Sequence, residues 1–189
     1  MIFYPARKAG FFTSVLGRRD FLRLVAGAAT AVAVPPVFAQ TQQAWPLWLR
    51  RGKDEHRFDA AQQDGYKAAM WLLRDVRAGA YGLPHPRLLY LASWAQSWLA
   101  AHSIHAVFDV TSGLRLPATN AAIEGAAQAS LHLPTPDWYF FAFDFRARGL
   151  DAEYTAMLMR AVGMGGVGIY WKRDFVHADV GRRRDWRGS

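Results

Sequence analysis

The 189 residues predict an α+β fold built from a few helices and a small antiparallel sheet. Three observations carry this. Apolar residues recur at helical spacing from Tyr66 to Val76 and again from Leu88 to Leu99. HAVFDVT and FFAFDFRA are short, rich in β-branched or aromatic residues, and read as strands. GVGIYW and FVHADV flank Lys172, Arg173 and Asp174 as the two arms of a hairpin with a three-residue loop.

The N-terminus is read first. Arg18 and Arg19 stand in GRRDFLR, followed by a weakly apolar run from Leu24 to Val34 and then by PPVFA. Basic, apolar, then small residues at a cleavage site is the order of an export leader, and the paired arginines make it a twin-arginine signal peptide over residues 1–39. An amphipathic first helix is the alternative. The apolar run is about a dozen residues, and a bilayer crossing needs roughly 20, so no permanent membrane anchor is expected.

Residues 40–189 then form one domain. Residues 40–63 mix Trp45, Trp48 and charges without clear period and read as an extended or looped lead-in. Tyr66, Met70, Leu73 and Val76 mark the first helix, closed by Gly79 and Gly82. Pro84 and Pro86 open a second, with Leu88, Leu91, Ala95, Trp98 and Leu99 on one face and an end near His102. After the HAVFDVT strand, SGLRLP is a turn, and the alanine-rich stretch from Ala118 to Ala127 predicts a short helix. In FFAFDFRA, Phe141, Phe143 and Phe145 share one face, and Phe140, Ala142 and Asp144 the other. Asp151 is an N-cap for a helix running to about Val162, which GMGG ends.

Composition narrows the function classes. Five of the 23 Lys and Arg and one of the 15 acids fall in the leader, leaving 18 against 14, a net charge of +4 for residues 40–189. Mild basicity suits anionic envelope polymers, although Arg182, Arg183, Arg184 and Arg187 also fit a solvated tail. An exported protein has little occasion to meet nucleic acid, so none is expected as partner. The chain contains no cysteine, which leaves stability to the core in an oxidising compartment. With 52% apolar residues that core is of ordinary size.

Five motifs in order carry a resemblance: SGLR at Ser112–Arg115, ATNAAIEGAAQASLH from Ala118 to His132, AFDF around Asp144, GGVGIY from Gly165, and FVHADVG ending at Gly181. Over about residues 66–186 the chain resembles the zinc D-alanyl-D-alanine carboxypeptidase and murein endopeptidase superfamily. That resemblance implies a hedgehog/DD-peptidase-like fold, with helices packed on one side of the sheet. It also implies a periplasmic zinc metallopeptidase that hydrolyses peptide bonds in peptidoglycan stems or crosslinks, delivered by the twin-arginine translocase.

A catalytic zinc needs three N or O ligands and one open position. The resemblance maps that triad onto His132, Asp144 and His177. It places an acidic base at Asp174, three residues before His177, and a substrate-carboxylate or oxyanion partner at Arg115, whose fork offers parallel donors. Asp179 shares a strand face with His177 and would orient its imidazole, or else bond to backbone or to a C-terminal arginine. Ser112 and Ser130 shape turns. The chain departs from the family at one point: His132 and Asp144 are twelve residues apart instead of seven, with LPTPDWYFF in place of a glycine turn. Asp137 is therefore an alternative ligand. A second functional reading follows, a degenerate member that binds peptidoglycan or a partner without hydrolysis.

Overall fold

Leu47 and Leu49 are buried while Trp48 between them is only half-covered, and this alternation makes a strand of what looked like an open lead-in. The computed structural model describes residues 43–188; the leader expected over 1–39 lies outside them. Strand β1 (Pro46–Arg51) turns at Gly52, whose φ of +60° suits glycine, into antiparallel β2 (Asp54–Asp59).

Helix α1 (Gln63–Leu72) ends before the expected Val76. Asp75 is buried, and its carboxylate accepts the N–H groups of Arg77, Ala78 and Leu116, which draws the chain out of the helix and into a bridge with Ala80. Val76 is 51% exposed, so its helical spacing is coincidental. Strand β3 (Leu83–Pro84) leads to α2 (Pro86–Ala101), which buries Leu88, Leu91, Ala95 and Leu99 as the periodicity required, buries Leu89 as well, and leaves Trp98 half-buried. Each buried leucine contributes about 1.5–3 kcal/mol. Gln96 of α2 clips the helix to β1: it accepts from the Trp48 N–H and donates to the carbonyls of Trp48 and Ala106, all within 2.9 Å.

His85 caps α2, its Nδ1 accepting from the Arg87 N–H at 3.3 Å while its ring stacks on Phe141. Burial, with Arg87 nearby, lowers the His85 pKa. Because the folded state disfavours the proton, this cap contributes stability that is complete above about pH 6.5 and falls as the pH drops below it. Urea denaturation is expected to show that His85→Ala costs about 1 kcal/mol at pH 7.5, and that the gap narrows by pH 5. A gap independent of pH would contradict this role.

Strand β4 (Phe108–Ser112) precedes α3 (Pro117–Ala121), which is half the expected length. Gly125, at φ +73°, turns the chain, and the Asn120 side chain takes the Ala127 carbonyl in place of a further helical turn. Then come β5 (Tyr139–Phe140), β6 (Ala142–Ala147), α4 (Ala152–Val162), β7 (Gly166–Tyr170), β8 (Phe175–Asp179) and β9 (Arg184–Arg187). Asp151 caps α4 by accepting from the Tyr154 N–H at 2.6 Å, and Gly163, at φ +66°, ends it. The β7–β8 loop holds four residues, Trp171 included, rather than three.

The sheet corrects the expected small antiparallel one. It has seven strands in the order β2-β1-β4-β6-β8-β7-β9, and it is mixed, since β1 pairs with β4 and β7 with β9 in parallel. A separate parallel pair joins β3 to β5. Periodicity reports which face a strand buries but not which neighbour it finds, so the distant pairings of β1 and β9 left no local trace. Helix α2 packs on β1 and on α4, and α4 on β6, β7 and β8. Among the described residues no helix is long and apolar enough to cross a membrane.

Candidate metal centre

The antiparallel pairing of β6 with β8 sets Asp144 directly opposite His177, while Phe143 faces Ala178 and Phe145 faces Val176. Alternation along each strand therefore splits the two central strands of the sheet. One face carries the stacked phenylalanine rings of the core, and the other a carboxylate beside an imidazole. The third member arrives on the long loop between α3 and β5. The Arg115 N–H donates to the His132 carbonyl at 2.9 Å, and His132 Nδ1 lies 2.6 Å from the Gly113 carbonyl. These two bonds stitch SGLR to SLH and deliver the ring to the sheet.

His132 Nε2, His177 Nδ1 and Asp144 Oδ1 converge. The separations are 3.2 Å between the two nitrogens, 3.2 Å from His132 to the carboxylate and 2.9 Å from His177 to it. All three residues are buried, and among the described residues they are the group of His, Cys, Asp or Glu that could hold a metal ion.

The outer bonds fix which nitrogens carry hydrogen. The Gly113 carbonyl can only accept, so His132 Nδ1 bears its proton; the Asp179 carboxylate, 3.0 Å from His177 Nε2, likewise assigns that proton. When both imidazoles are neutral, three lone pairs point at one another and a cation at their centre can accept them; without one, the raised His177 pKa puts a proton between its Nδ1 and Asp144 Oδ1. Two imidazoles and a carboxylate are a zinc donor set, and bonds of about 2.0–2.1 Å in a tetrahedron place ligand atoms about 3.3 Å apart, close to the spacing here. The residues fit the metal.

Electrostatics follow the same geometry. Burial raises the Asp144 pKa, but the flanking histidines outweigh it and hold the carboxyl well below the usual range. Burial lowers the His132 pKa and outweighs Asp144, so this ring favours its neutral form. For His177 burial acts in the same direction, but its bonds to Asp144 and Asp179 prevail and raise it. Asp179 is pushed down to about 2: the His177 bond, the Gly166 and Gly181 N–H groups and Arg184 overcome its burial.

Arg115 bonds Asp144 Oδ2 through its guanidinium and Ser112 Oγ through Nε at 2.8 Å, leaving Oδ1 for the centre. Asp137, the alternative ligand, is exposed in the turn between Thr135 and Tyr139 and stays outside the group. The twelve-residue spacing is absorbed by that turn and by β5, whose pairing with β3 returns the chain to the sheet.

Asp174 is not among the converging residues. It occupies the β7–β8 turn at φ +49°, its side chain 68% exposed and 3.8 Å from Arg146 Nε. Arg146 lies two residues beyond Asp144 on the same face of β6, so the Asp174 carboxylate sits on the metal-centre side of the sheet, farther along the strands. Arg115, Asp144 and Arg146 line one cleft of about 600 Å³.

The match to known proteins coincides with this geometry. The family model for peptidase M15 matches residues 47–179, from β1 to the end of β8. The chain belongs to the peptidase M15 family. Across 133 residues it is 29% identical to the probable peptidoglycan L,D-endopeptidase MepK of Haemophilus influenzae, covering 66% of this chain and 68% of that protein. No solved structure matches the chain.

Residues beyond the matched region also build the centre. The Trp186 ring on β9 lies 5.0 Å from the His177 ring, and Arg184 Nη2 reaches Asp179 Oδ2 at 2.8 Å. A Cβ on Gly168 would strike the Trp186 ring at 2.3 Å, so glycine there is what lets the indole lie flat on β7. The terminal arginines, which by composition also fit a solvated tail, instead belong in part to β9, and the parallel pairing of β9 with β7 brings Arg184 and Trp186 to the centre.

Proposed function

We propose that this chain is an exported zinc peptidase hydrolysing peptide bonds in peptidoglycan stems or crosslinks, placed in the periplasm by the twin-arginine leader at residues 1–39. The carrying observation is the convergence of His132 Nε2, Asp144 Oδ1 and His177 Nδ1 to within 3.2 Å of one another, with an acceptor beside the other nitrogen of each imidazole. Membership of the peptidase M15 family supports hydrolysis, and the likeness to a probable peptidoglycan L,D-endopeptidase supports peptidoglycan as substrate.

His132, Asp144 and His177 would hold the metal. Zinc, when bound, acts as a Lewis acid toward the scissile carbonyl and lowers the pKa of an attacking water. Arg115 lines the cleft and stays charged, so the donors not used on Asp144 and Ser112 can hold a substrate carboxylate or the developing oxyanion. Asp174 is the proposed base: because its turn stands roughly 10 Å along the strand from His177, it would take the proton that water gives up through intervening water rather than by direct contact, and return it to the departing amine. Asp174→Asn is expected to lower kcat by about 10²–10⁴ with zinc content unchanged. Activity within twofold of the parent would remove Asp174 from this role.

The primary test is elemental mass spectrometry of the purified protein, combined with muropeptide hydrolysis before and after chelation. Near one zinc per chain with chelator-sensitive cleavage is expected. Sacculus binding that survives chelation, with no zinc uptake, would replace this reading by the non-hydrolytic one.

A further inference from the structure

The cleft beside the metal centre carries six cationic side chains, Arg51, Arg77, Arg115, Arg146, Lys172 and Arg173, against two carboxylates, Asp75 and Asp144. Both carboxylates are already engaged, Asp75 by three backbone N–H groups and Asp144 by Arg115 and the two imidazoles. Arg51 is spent on the carbonyls of Leu72 and Arg74. Arg146 donates to the Arg173 carbonyl at 2.7 Å and stands near Asp174. Among the described residues, Arg77, Lys172 and Arg173 have no carboxylate within ion-pair reach.

Two of those three unneutralised cations are adjacent, and they stand on a turn that is held in place. Beyond the Arg146 bond, the Arg173 N–H donates to the Tyr170 carbonyl at 3.0 Å and the Asp174 N–H to the Trp171 carbonyl at 3.3 Å. The Arg173 guanidinium lies 5.0 Å from the Tyr170 ring centre and 5.3 Å from that of Phe175, rings that stack at 4.4 Å. Pre-organised cations lose less side-chain freedom on binding an anion than extended surface ones do.

We infer that the β7–β8 turn, through Lys172 and Arg173, is a second anion subsite that selects peptides bearing a branch carboxylate away from the scissile bond. The inference rests on the peptidase reading and adds a specificity that Arg115, held beside Asp144, does not supply. At about 3.3 Å per strand residue the turn lies roughly 10 Å from His177, so the recognised carboxylate belongs to a residue two or three positions from the bond cut.

The test compares stem peptides whose side-chain carboxylates are free with the same peptides carrying carboxamides. KM and kcat are measured on the zinc-loaded full chain, and Kd by anisotropy of labelled peptides on chelator-treated protein. KM and Kd are expected to be about tenfold lower for the free acid, a preference that shrinks as salt rises. In Lys172→Ala/Arg173→Ala the ratio should fall to within about twofold, whereas Arg87→Ala on the exposed start of α2 should leave it as in the parent. Equal or undetectable binding of the two peptides by the parent protein, or a preference surviving in the double variant, would overturn the subsite. Failure to cleave either peptide while the binding preference persists would instead count against the peptidase reading.

Discussion

Replacing His177 with alanine is expected to remove both the metal and measurable hydrolysis. In the proposed centre His177 supplies one of three ligating atoms, and its partners cannot replace it: Asp179 is committed to the Gly166 and Gly181 N–H groups and to Arg184, and Asp144 Oδ2 to Arg115. Lewis-acid assistance is worth several kcal/mol, so its loss is at least about a thousandfold in rate. Elemental analysis should find zinc well below one per chain, and turnover should not return at substrate concentrations far above the parent KM. Circular dichroism close to the parent would separate this loss from unfolding. Retention of near-stoichiometric zinc with normal turnover would remove His177 from the ligand set.

A Gly113→Ala substitution is expected to lower both stability and metal affinity. A Cβ at that position would stand 2.2 Å from the Leu73 carbonyl oxygen and 2.8 Å from the Leu73 Cα, with no flexible side chain to give way. The same carbonyl accepts the Leu114 N–H at 2.8 Å, so relief requires the 113–116 loop to move. Gly113 also holds His132 by its own carbonyl. The methyl group should therefore cost about 3 kcal/mol or more in urea denaturation and weaken zinc binding as well. Gly52→Ala is the control: its φ is positive but nothing lies within 4 Å, so about 1–2 kcal/mol is expected there with zinc affinity unchanged. A Gly113 variant within 1 kcal/mol of the parent would show that the close approach is not what demands glycine.

Local signals were legible where a rule concerns neighbours in sequence. Helix α2 runs from its Pro86 start to a C-cap at His102, and α4 from its Asp151 cap to Gly163, because caps, prolines and left-handed glycines act within one turn. The same rules overextended α1 and α3. Val76 kept the helical period, yet the buried Asp75 gathers N–H groups from two loops, one of them 41 residues away. The alanine-rich run after α3 had propensity but no tertiary face to pack, and Gly125 ended it. The β1–β2 hairpin was hidden because Trp48 and its charged neighbours obscured the alternation of Leu47 and Leu49.

By itself the sequence singled out His132, Asp144 and His177, the group that could hold a metal ion. Imidazole and carboxylate types are written directly in it, and the order SGLR, SLH, AFDF and FVHADVG states which of them belong together. Tertiary structure alone decided how they meet. Register across β6 and β8 sets Asp144 opposite His177, a loop bond to Gly113 turns the His132 ring inward, and a terminal strand in parallel pairing with β7 lays Trp186 over His177. These are contacts between segments dozens of residues apart. Their geometry depends on strand order and register, which no local periodicity encodes.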